Sequence, residues 1–272
     1  MLAVLPEKLA ALPETLSRLL DDAELRLKQA GRRADIVLAA PARRNAQTPA
    51  TWRALAAVGT WLVGRADVVV LRAEGPSFSA GLDRRAFTPA GIPGEPGLFQ
   101  LAALDDAALD AAIASYQDGF TVWRQAPYLS VAAVQGHAVG AGFQLALACD
   151  LRIAADDAQF AMREPSLGLV PDLGGTWPLV QTVGYARALE ICATGRWVPA
   201  AEAAAIGLVQ AVVPAATLLE AIDDLLVAVL SAPSAALLAT RALLRDAGGR
   251  SPQQQGAAER TAQIDRLRAL AG

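Results

Sequence analysis

The stretch LSVAAVQGHAVGAGFQLALACDLRIA, residues 129–154, decides the fold of this 272-residue chain. It begins with the apolar, β-branched run 129–134, which is typical of a buried strand. A glycine-rich turn over residues 136–142 comes next, followed by a helix over 143–149 and a second strand over 151–154. Because strands joined through a helix in this way pair in parallel, the stretch predicts an α/β fold.

The same alternation extends in both directions from this stretch. The runs 36–38 and 68–71 predict two further strands, and the apolar spacing of residues 51–64 predicts the helix between them. One apolar face recurs along residues 105–124, which predicts a helix that ends before Pro127. Beyond residue 175 the pattern predicts helices at 185–193, 200–206, 218–230, 234–247 and 251–270.

The two ends of the chain differ from its middle. Apolar residues of the segment 14–30 recur at helical spacing, so we expect an amphipathic helix that ends at Gly31. We therefore divide the chain into an N-terminal helical extension, residues 1–31, a core that carries the site, residues 32–215, and a helical C-terminal region, residues 216–272.

Composition and charge exclude several classes of function. Lysine and arginine number 24 against 27 aspartates and glutamates, and no long basic run is present, so nucleic acid is not an expected partner. Cys149 and Cys192 are too few for a disulfide framework and fit a reducing cytoplasm. His137 is the only histidine, so we expect no metal site. No apolar run approaches the roughly 18 residues that span a bilayer, and the chain starts without a signal peptide, so we expect a cytoplasmic protein with no membrane partner.

Two glycine-rich turns, residues 77–83 and 136–142, each follow a predicted strand. The second turn also opens a helix, so its backbone N–H groups point outward at the positive end of that helix. The third glycine and the later acidic residue of a dinucleotide-binding pattern are missing, and no Walker-type Gly-Lys-Ser/Thr is present. Two backbone donors aimed at one oxygen are what stabilisation of a thioester enolate requires.

Four motifs occur along the chain in the order FSAGLD at 78–83, VQGHAVGAGF at 134–143, AQFAMRE at 158–164 and GLVPDLGGT at 168–176. In sequence and spacing they resemble the enoyl-CoA hydratase/isomerase, or crotonase, family over roughly residues 34–215. The resemblance implies the crotonase (ClpP-like) fold, a spiral of β-β-α turns. It also implies a helical C-terminal region that assembles trimers, commonly paired into hexamers. Residues 1–31 do not resemble the usual start of the family.

The resemblance also implies how a coenzyme A thioester is held. The backbone N–H groups of Leu82 and Ala141 would form an oxyanion hole, with Ala141 standing where the family most often has glycine. Coenzyme A would arrive as part of the substrate, and no permanently bound cofactor is expected. The arginines next to this site are candidates for the phosphates of coenzyme A, with a solvated surface pair as the alternative. The predicted coenzyme A contacts are Arg43, Arg44, Ala46, Ser79 and Ala80.

The acid–base residues depart from the pattern that the resemblance implies for hydratases. Hydratases of the family use two glutamates, whereas this chain has Glu164 at the second position and Gln144 at the first. A glutamine can hold a water molecule but cannot accept its proton at neutral pH. Asp172 lies where dienoyl-CoA isomerases and ring-opening epoxyphenylacetyl-CoA isomerases keep a catalytic aspartate, and a loop-capping role is its alternative.

The leading hypothesis is an enoyl-CoA double-bond isomerase, because isomerases of the family can run on one carboxylate and Glu164 alone would suffice. Two alternatives stay open: an enoyl-CoA hydratase that holds its water on Gln144, and a catalytically degenerate acyl-CoA-binding protein. The expected partners are an unsaturated acyl-CoA of lipid metabolism and further copies of this chain in a trimer or hexamer.

Overall fold

The computed structural model describes residues 12–271, and these residues form an α/β fold. Its described strands are β1 Leu25–Ala30, β2 Arg33–Leu38, β3 Val68–Ala73, β4 Leu129–Val134, β5 His137–Val139, β6 Leu151–Ala155, β7 Gln159–Ala161, β8 Val198–Pro199 and β9 Ala211–Val213. Its described α-helices are α1 Glu14–Asp22, α2 Pro49–Trp61, α3 Leu98–Ala102, α4 Asp106–Gln125, α5 Ala141–Ala148, α6 Thr176–Val183, α7 Tyr185–Thr194, α8 Ala200–Ala205, α9 Leu218–Leu230, α10 Ser234–Asp246 and α11 Pro252–Ala271.

The described strands form two sheets between which the chain passes repeatedly. The larger sheet has the order β1-β2-β3-β4-β6-β9, and only its β1–β2 pair is antiparallel. The smaller sheet has the order β5-β7-β8. After β4 and again after β6, the chain leaves the larger sheet for a strand of the smaller one. This passage from sheet to sheet, followed by a helix, is the spiral of β-β-α turns that the family resemblance implies.

The core lies on both faces of the larger sheet. Along β3 the side chains of Val69 and Leu71 enter one apolar cluster, and those of Val68 and Val70 enter the other. This alternation follows from the period of two in a strand, and both faces are buried because helices cover each of them. On the first face α2 packs against α4, and on the second α9 packs against the sheet.

Most predicted elements are confirmed, with ends that shift by a few residues, but the single helix over residues 14–30 is wrong. Helix α1 ends at Asp22, and residues 25–30 form the edge strand β1, which returns into β2 through Gly31 at φ +55°. Leu16, Leu20 and Leu25 are buried, so the described part of this segment belongs to the core. Residues 1–11 of the predicted extension lie outside the described residues.

Two further differences concern the middle of the chain. The predicted turn over residues 136–142 contains the short strand β5, which pairs in parallel with β7. Helix α6, which the sequence pattern did not predict, begins directly after Gly175. Both elements lie next to predicted site residues. Strand β5 ends two residues before Ala141, and α6 begins four residues after Asp172.

The C-terminal helices contact the core to different degrees. Leu218, Ile222 and Leu226 of α9 are buried against the sheet, whereas α11 has no buried residue. Arg241 of α10 is buried, and its Nε donates to Asp150 Oδ2 at 2.7 Å. Within residues 12–271 no single helix has the length and hydropathy of a membrane span. Segments 215–230 and 234–249 meet those criteria only jointly, across a bend of 102°.

Candidate active site

The two glycine-rich turns predicted from the sequence lie against each other. Ser79 N donates to His137 O at 2.9 Å, and Val139 N donates to Ser79 O at 3.0 Å, so the turns are joined as a short parallel bridge. A Cβ at Gly142 would lie 2.5 Å from Ser79 O. This contact leaves no room for a side chain, and glycine at this position therefore allows the turns to meet.

The bridge brings the two predicted oxyanion donors to neighbouring positions. Gly81 has φ +86°, and a Cβ on it would lie 2.5 Å from Val139 O and 3.5 Å from Ala141 N. Ala141 is the first residue of α5, so its N–H has no acceptor within the helix. Across residues 12–271 the N–H groups of Leu82 and Ala141 donate to no protein acceptor. Two free donors therefore lie together at the positive end of a helix.

The alanine at position 141 fits this turn without strain. Gly140 has φ +50° and ψ −118°, a conformation that favours glycine, whereas Ala141 is not among the residues with positive φ. The conformation that requires glycine is thus one residue earlier, and an L-residue is tolerated at the donor position itself.

Glu164 lies beside this pair of donors. It follows β7 in a short 3₁₀ turn, and a Cβ at Gly140 would lie 3.1 Å from Glu164 Oε1. Glu164 Oε2 is buried and has no hydrogen-bond partner among the described residues. Burial raises the pKa of Glu164, and the nearby charge of Asp172 adds to the increase against the lowering effect of its hydrogen bonds. A carboxylate with these properties is suited to accept a proton from carbon.

Gln144 is buried, and its carbonyl oxygen is fully used. Its Oε1 accepts from Leu173 N at 3.0 Å and from Gly175 N at 3.1 Å, and its Nε2 donates to Glu164 Oε1 at 2.7 Å. Because two backbone donors require an acceptor, these contacts fix the orientation of the amide. The predicted water-holding role of Gln144 is therefore left with one remaining N–H, which can donate to a water but cannot take its proton.

Asp172 reaches the same site through the segment that Gln144 holds. Gln117 of α4 donates from Nε2 to Asp172 O at 2.6 Å, which ties this segment to the long helix. Burial raises the pKa of Asp172 as well, and its charge acts on Glu164. The structure thus brings together Gln144, Glu164 and Asp172, which are separated by up to 28 positions in the sequence, around the two donors.

The five residues that are predicted to contact coenzyme A differ in solvent exposure and in whether their polar groups already have partners. Ser79 is buried and its hydroxyl is engaged inside the protein, and Ala46 is half-buried. Arg43 forms ion pairs with Glu24 and, at 2.8 Å, with Asp83. Arg44 is exposed and has no ion-pair partner within the described part of the chain, and its carbonyl accepts from the N–H of the exposed Ala80. Of the two arginines, Arg44 is therefore the one whose charge is available to a phosphate.

Comparison with known proteins identifies the family. A model of the family described as enoyl-CoA hydratase/isomerase matches residues 33–267, which is most of the chain. The chain belongs to the enoyl-CoA hydratase/isomerase family. It is 49% identical to a Thermobifida fusca protein, assigned as an enoyl-CoA hydratase and solved with acetoacetyl-CoA. That match covers 93% of this chain and 98% of the other, with a TM-score of 0.89.

Curated relatives of the family match over shorter segments. A Mycobacterium bovis protein assigned as an enoyl-CoA hydratase is 42% identical over 44% of this chain and 45% of its own length. A Rhizobium meliloti protein with the same assignment is 34% identical over 70% of this chain and 68% of its own. The chain thus spans about half the length of the first curated relatives that it matches.

Two polar residues that support the turn 77–83, which carries the Leu82 N–H, were not predicted from the family motifs. Asn45 is buried, and its Nδ2 donates to Glu74 O at 2.9 Å and to Ser77 O at 2.8 Å. Gln47 is fully buried and donates from Nε2 to Ser79 Oγ at 3.0 Å. The one feature of the sequence that could have indicated them is the presence of two amide side chains just before Thr48, the N-cap of α2. Their partners lie some 30 positions away, and the local pattern does not identify them.

The raised pKa of Glu164 predicts a gain in stability when its charge is removed. Between the usual glutamate pKa and the raised one, the folded protein binds more protons than the unfolded chain, so stability falls as pH rises through this window. Glu164→Gln should therefore raise the Tm at about pH 8, with a smaller gain at about pH 4, which lies below the raised pKa of wild-type Glu164. Calorimetry at both pH values checks this, with the exposed Glu220→Gln as a control. Equal gains at both pH values would contradict it.

Proposed function

We propose that this chain is a coenzyme A thioester enzyme, and specifically an enoyl-CoA double-bond isomerase. The observation that carries the proposal is the hydrogen bonding of Gln144, whose carbonyl oxygen accepts from Leu173 and Gly175 while its amide donates to Glu164. This arrangement leaves Glu164 as the proton acceptor next to the two free N–H groups. Membership of the family, and the acetoacetyl-CoA bound by the Thermobifida fusca relative, support a coenzyme A thioester as substrate.

The reaction needs one base and one stabilised enolate. Glu164 takes a proton from C2 of a 3-enoyl-CoA, and the electrons move onto the thioester oxygen, which accepts from the N–H groups of Leu82 and Ala141. The enolate collapses, the double bond moves to the 2-position, and the protonated Glu164 returns its proton to C4. No proton is gained or lost overall. The raised pKa of Glu164 suits both steps, because a carbon acid is deprotonated better by a stronger base.

The hydrogen bonds of Gln144 also argue against fast hydration. Addition of water to a 2-enoyl-CoA needs a group that takes the water proton and one that delivers a proton to carbon. Gln144 is neutral, and its carbonyl oxygen is occupied by two backbone donors. A catalytically degenerate binding protein is the remaining alternative, and the buried, unpartnered Oε2 of Glu164 beside the donors argues against it.

The relative rates of the two reactions test the proposal. The wild-type protein should isomerise 3-enoyl-CoA faster than it hydrates 2-enoyl-CoA, when both are assayed over a panel of chain lengths. Gln144→Glu keeps an acceptor for Leu173 and Gly175 and adds a second carboxylate beside Glu164, so it should raise hydration by about tenfold or more. Mutual repulsion would raise one of the two pKa values, so isomerisation should fall in the same variant.

The isomerase assignment would be abandoned if wild-type hydration is the faster reaction and Gln144→Glu does not increase it. Turnover of neither substrate class by the wild-type protein would favour the binding protein. As a control, Gln255→Glu changes an amide to a carboxylate on α11, where the hydrogen-bond partners of Gln255 are not site residues, and should leave both rates unchanged.

A second candidate function is favoured by Asp172. Burial raises its pKa and its charge acts on Glu164, so the two carboxylates could divide donor and acceptor roles in a dienoyl- or ring-isomerising reaction. The two functions differ in which substitution is more harmful. Equal or larger loss from Asp172→Asn than from Glu164→Gln would favour this second function.

We also propose that the protein works in a reducing cytoplasm as a trimer or hexamer. Exposed apolar side chains of the segment 167–189, at Leu167, Val170, Trp177, Tyr185 and Leu189, support self-association through this face. The free thiols of Cys149 and Cys192 support the reducing environment. Light scattering that shows a monomer at micromolar concentration would contradict the assembly.

A further inference from the structure

We propose that the side chain of Gln47 positions the oxyanion donor at Leu82, an inference that rests on the proposed function because it takes the Leu82 N–H as that donor. Gln47 does not belong to the residues that surround Glu164. It acts through the turn 77–83 and forms no hydrogen bond with Gln144, Glu164 or Asp172 among the described residues, so it is a positioning residue.

The main chain of Gln47 holds the turn on both sides of Leu82. Gln47 N donates to Gly81 O at 2.8 Å, and Gln47 O accepts from Asp83 N at 2.8 Å. The peptide unit between Gly81 and Leu82 is planar and trans, so its N–H points opposite to its C=O. Because the Gly81 carbonyl points toward Gln47, the Leu82 N–H points away from it and stays free.

The side chain of Gln47 fixes the conformation that precedes Leu82. Its Nε2 donates to Ser79 Oγ at 3.0 Å, while Ser79 Oγ donates to Asn45 O at 2.8 Å and accepts from Gly81 N at 3.2 Å. One donor and two acceptor positions are all that a hydroxyl has, so its rotation is fixed. The Gly81 N–H is thereby fixed as well, and with it the left-handed conformation that directs the next peptide unit.

The other end of the Gln47 amide is attached to the helix pair α2–α4. Trp52 Nε1 donates to Gln47 Oε1 at 2.8 Å, and the Trp52 ring packs against Tyr116 and Phe120 with centroids 5.0 and 6.0 Å apart. A Cβ at Gly119 would lie 2.5 Å from Trp52 O, so the helices are in close contact here. Gln47 therefore links the turn 77–83 to a closely packed part of the core. Each of its four polar atoms, N, O, Nε2 and Oε1, has a hydrogen-bond partner.

Gln47→Met tests the proposal, because methionine keeps the length of the side chain and the main-chain hydrogen bonds and removes only the amide. A donor that is misplaced by a fraction of an ångström stabilises the enolate less but binds the rest of the substrate equally well. We expect kcat to fall about 10–100-fold with KM within about threefold of the wild-type value.

The second measurement is the absorption maximum of a bound aromatic enoyl-CoA of the cinnamoyl class. A structural defect elsewhere in the protein would not change this maximum. Hydrogen bonds to the thioester oxygen polarise the conjugated system and shift its absorption to the red. We expect a clear red shift on binding to the wild-type protein and a smaller one on binding to Gln47→Met. Tyr128→Phe is the matched control: it removes a buried hydrogen bond to Gly59 O in the same core and should leave kcat and the red shift unchanged.

The outcomes separate this proposal from the proposed function. Turnover and a red shift in the wild-type protein, both unchanged in Gln47→Met, would overturn the positioning role and leave the function standing. Absence of turnover and of a red shift in the wild-type protein would overturn both. If Gln47→Met does not fold, Trp52→Phe removes the donor to Gln47 Oε1 and keeps an aromatic ring. That variant should show the same changes at smaller size, and an unchanged kcat and red shift would then overturn the proposal.

Discussion

Replacement of Glu164 by glutamine is expected to lower kcat for isomerisation of 3-enoyl-CoA by about 10²–10⁴-fold, which is the usual worth of a positioned general base. Glutamine has nearly the same shape, and its carbonyl oxygen can still accept from Gln144 Nε2, so the site should keep its geometry. The KM should change little, because Glu164 acts on the reacting carbon and not on coenzyme A. Steady-state kinetics with Asp172→Asn alongside measures the effect of each carboxylate.

The loss should be larger in Glu164→Gln than in Asp172→Asn. Retention of more than about a tenth of the wild-type kcat in Glu164→Gln would contradict the assignment of the base. The pH dependence provides a further check: kcat/KM of the wild-type protein should fall as pH decreases through the raised pKa of Glu164, because only the carboxylate form accepts a proton.

Substitution of Ala141 by proline is expected to lower kcat about 10²–10³-fold, because it deletes one of two oxyanion donors. Ala141 is the first residue of α5, the position where proline is favoured in helices, so the variant should fold. The ring also occupies the space in front of the lost N–H, which adds to the loss. Circular dichroism confirms the fold, and steady-state kinetics gives the rate.

A matched control makes the same kind of change at another helix. Asp106 is the first residue of α4, is exposed, and follows a residue whose φ of −68° and ψ of 164° suit a position before proline. Asp106→Pro should therefore leave kcat within about twofold. Turnover unchanged in a folded Ala141→Pro variant would show that the Ala141 N–H is not an oxyanion donor.

The sequence predicted the parts of the fold that depend on local pattern. The run 68–71 is apolar and β-branched, and the strand it predicts is confirmed, because β-branched residues favour strands and suit a sheet that is buried on both faces. Strand β1 was missed because Leu25–Ala30 consists of residues that favour helices, and its apolar positions continue the spacing of α1. Pairing with β2 outweighs that preference, and a partner strand is not visible in a local window.

The residues of the candidate site that lie within the four motifs were predicted from the sequence, whereas the contacts between distant segments were not. The two turns and Glu164 follow from their own segments, and the structure brings them together. The hydrogen bonds of Gln144 join residues that are 20 to 31 positions apart, so the sequence indicated a neutral residue but not that its carbonyl oxygen is occupied. Gln47 was missed for the same reason, because its role depends on contacts with Ser79 and Trp52.

In the proposed reaction, Glu164 carries one proton between two carbons of the same bound substrate. A 3-enoyl-CoA labelled with deuterium at C2 tests it most directly, when it is converted in ordinary water and the product is examined by mass spectrometry and NMR. Oε2 of Glu164 is buried, so the deuteron it takes is shielded from solvent during the transfer. We predict 2-enoyl-CoA with deuterium at C4 in a substantial fraction of the molecules. A product with no deuterium at C4, or one that carries a hydroxyl group in place of the double bond, would contradict proton transfer by Glu164.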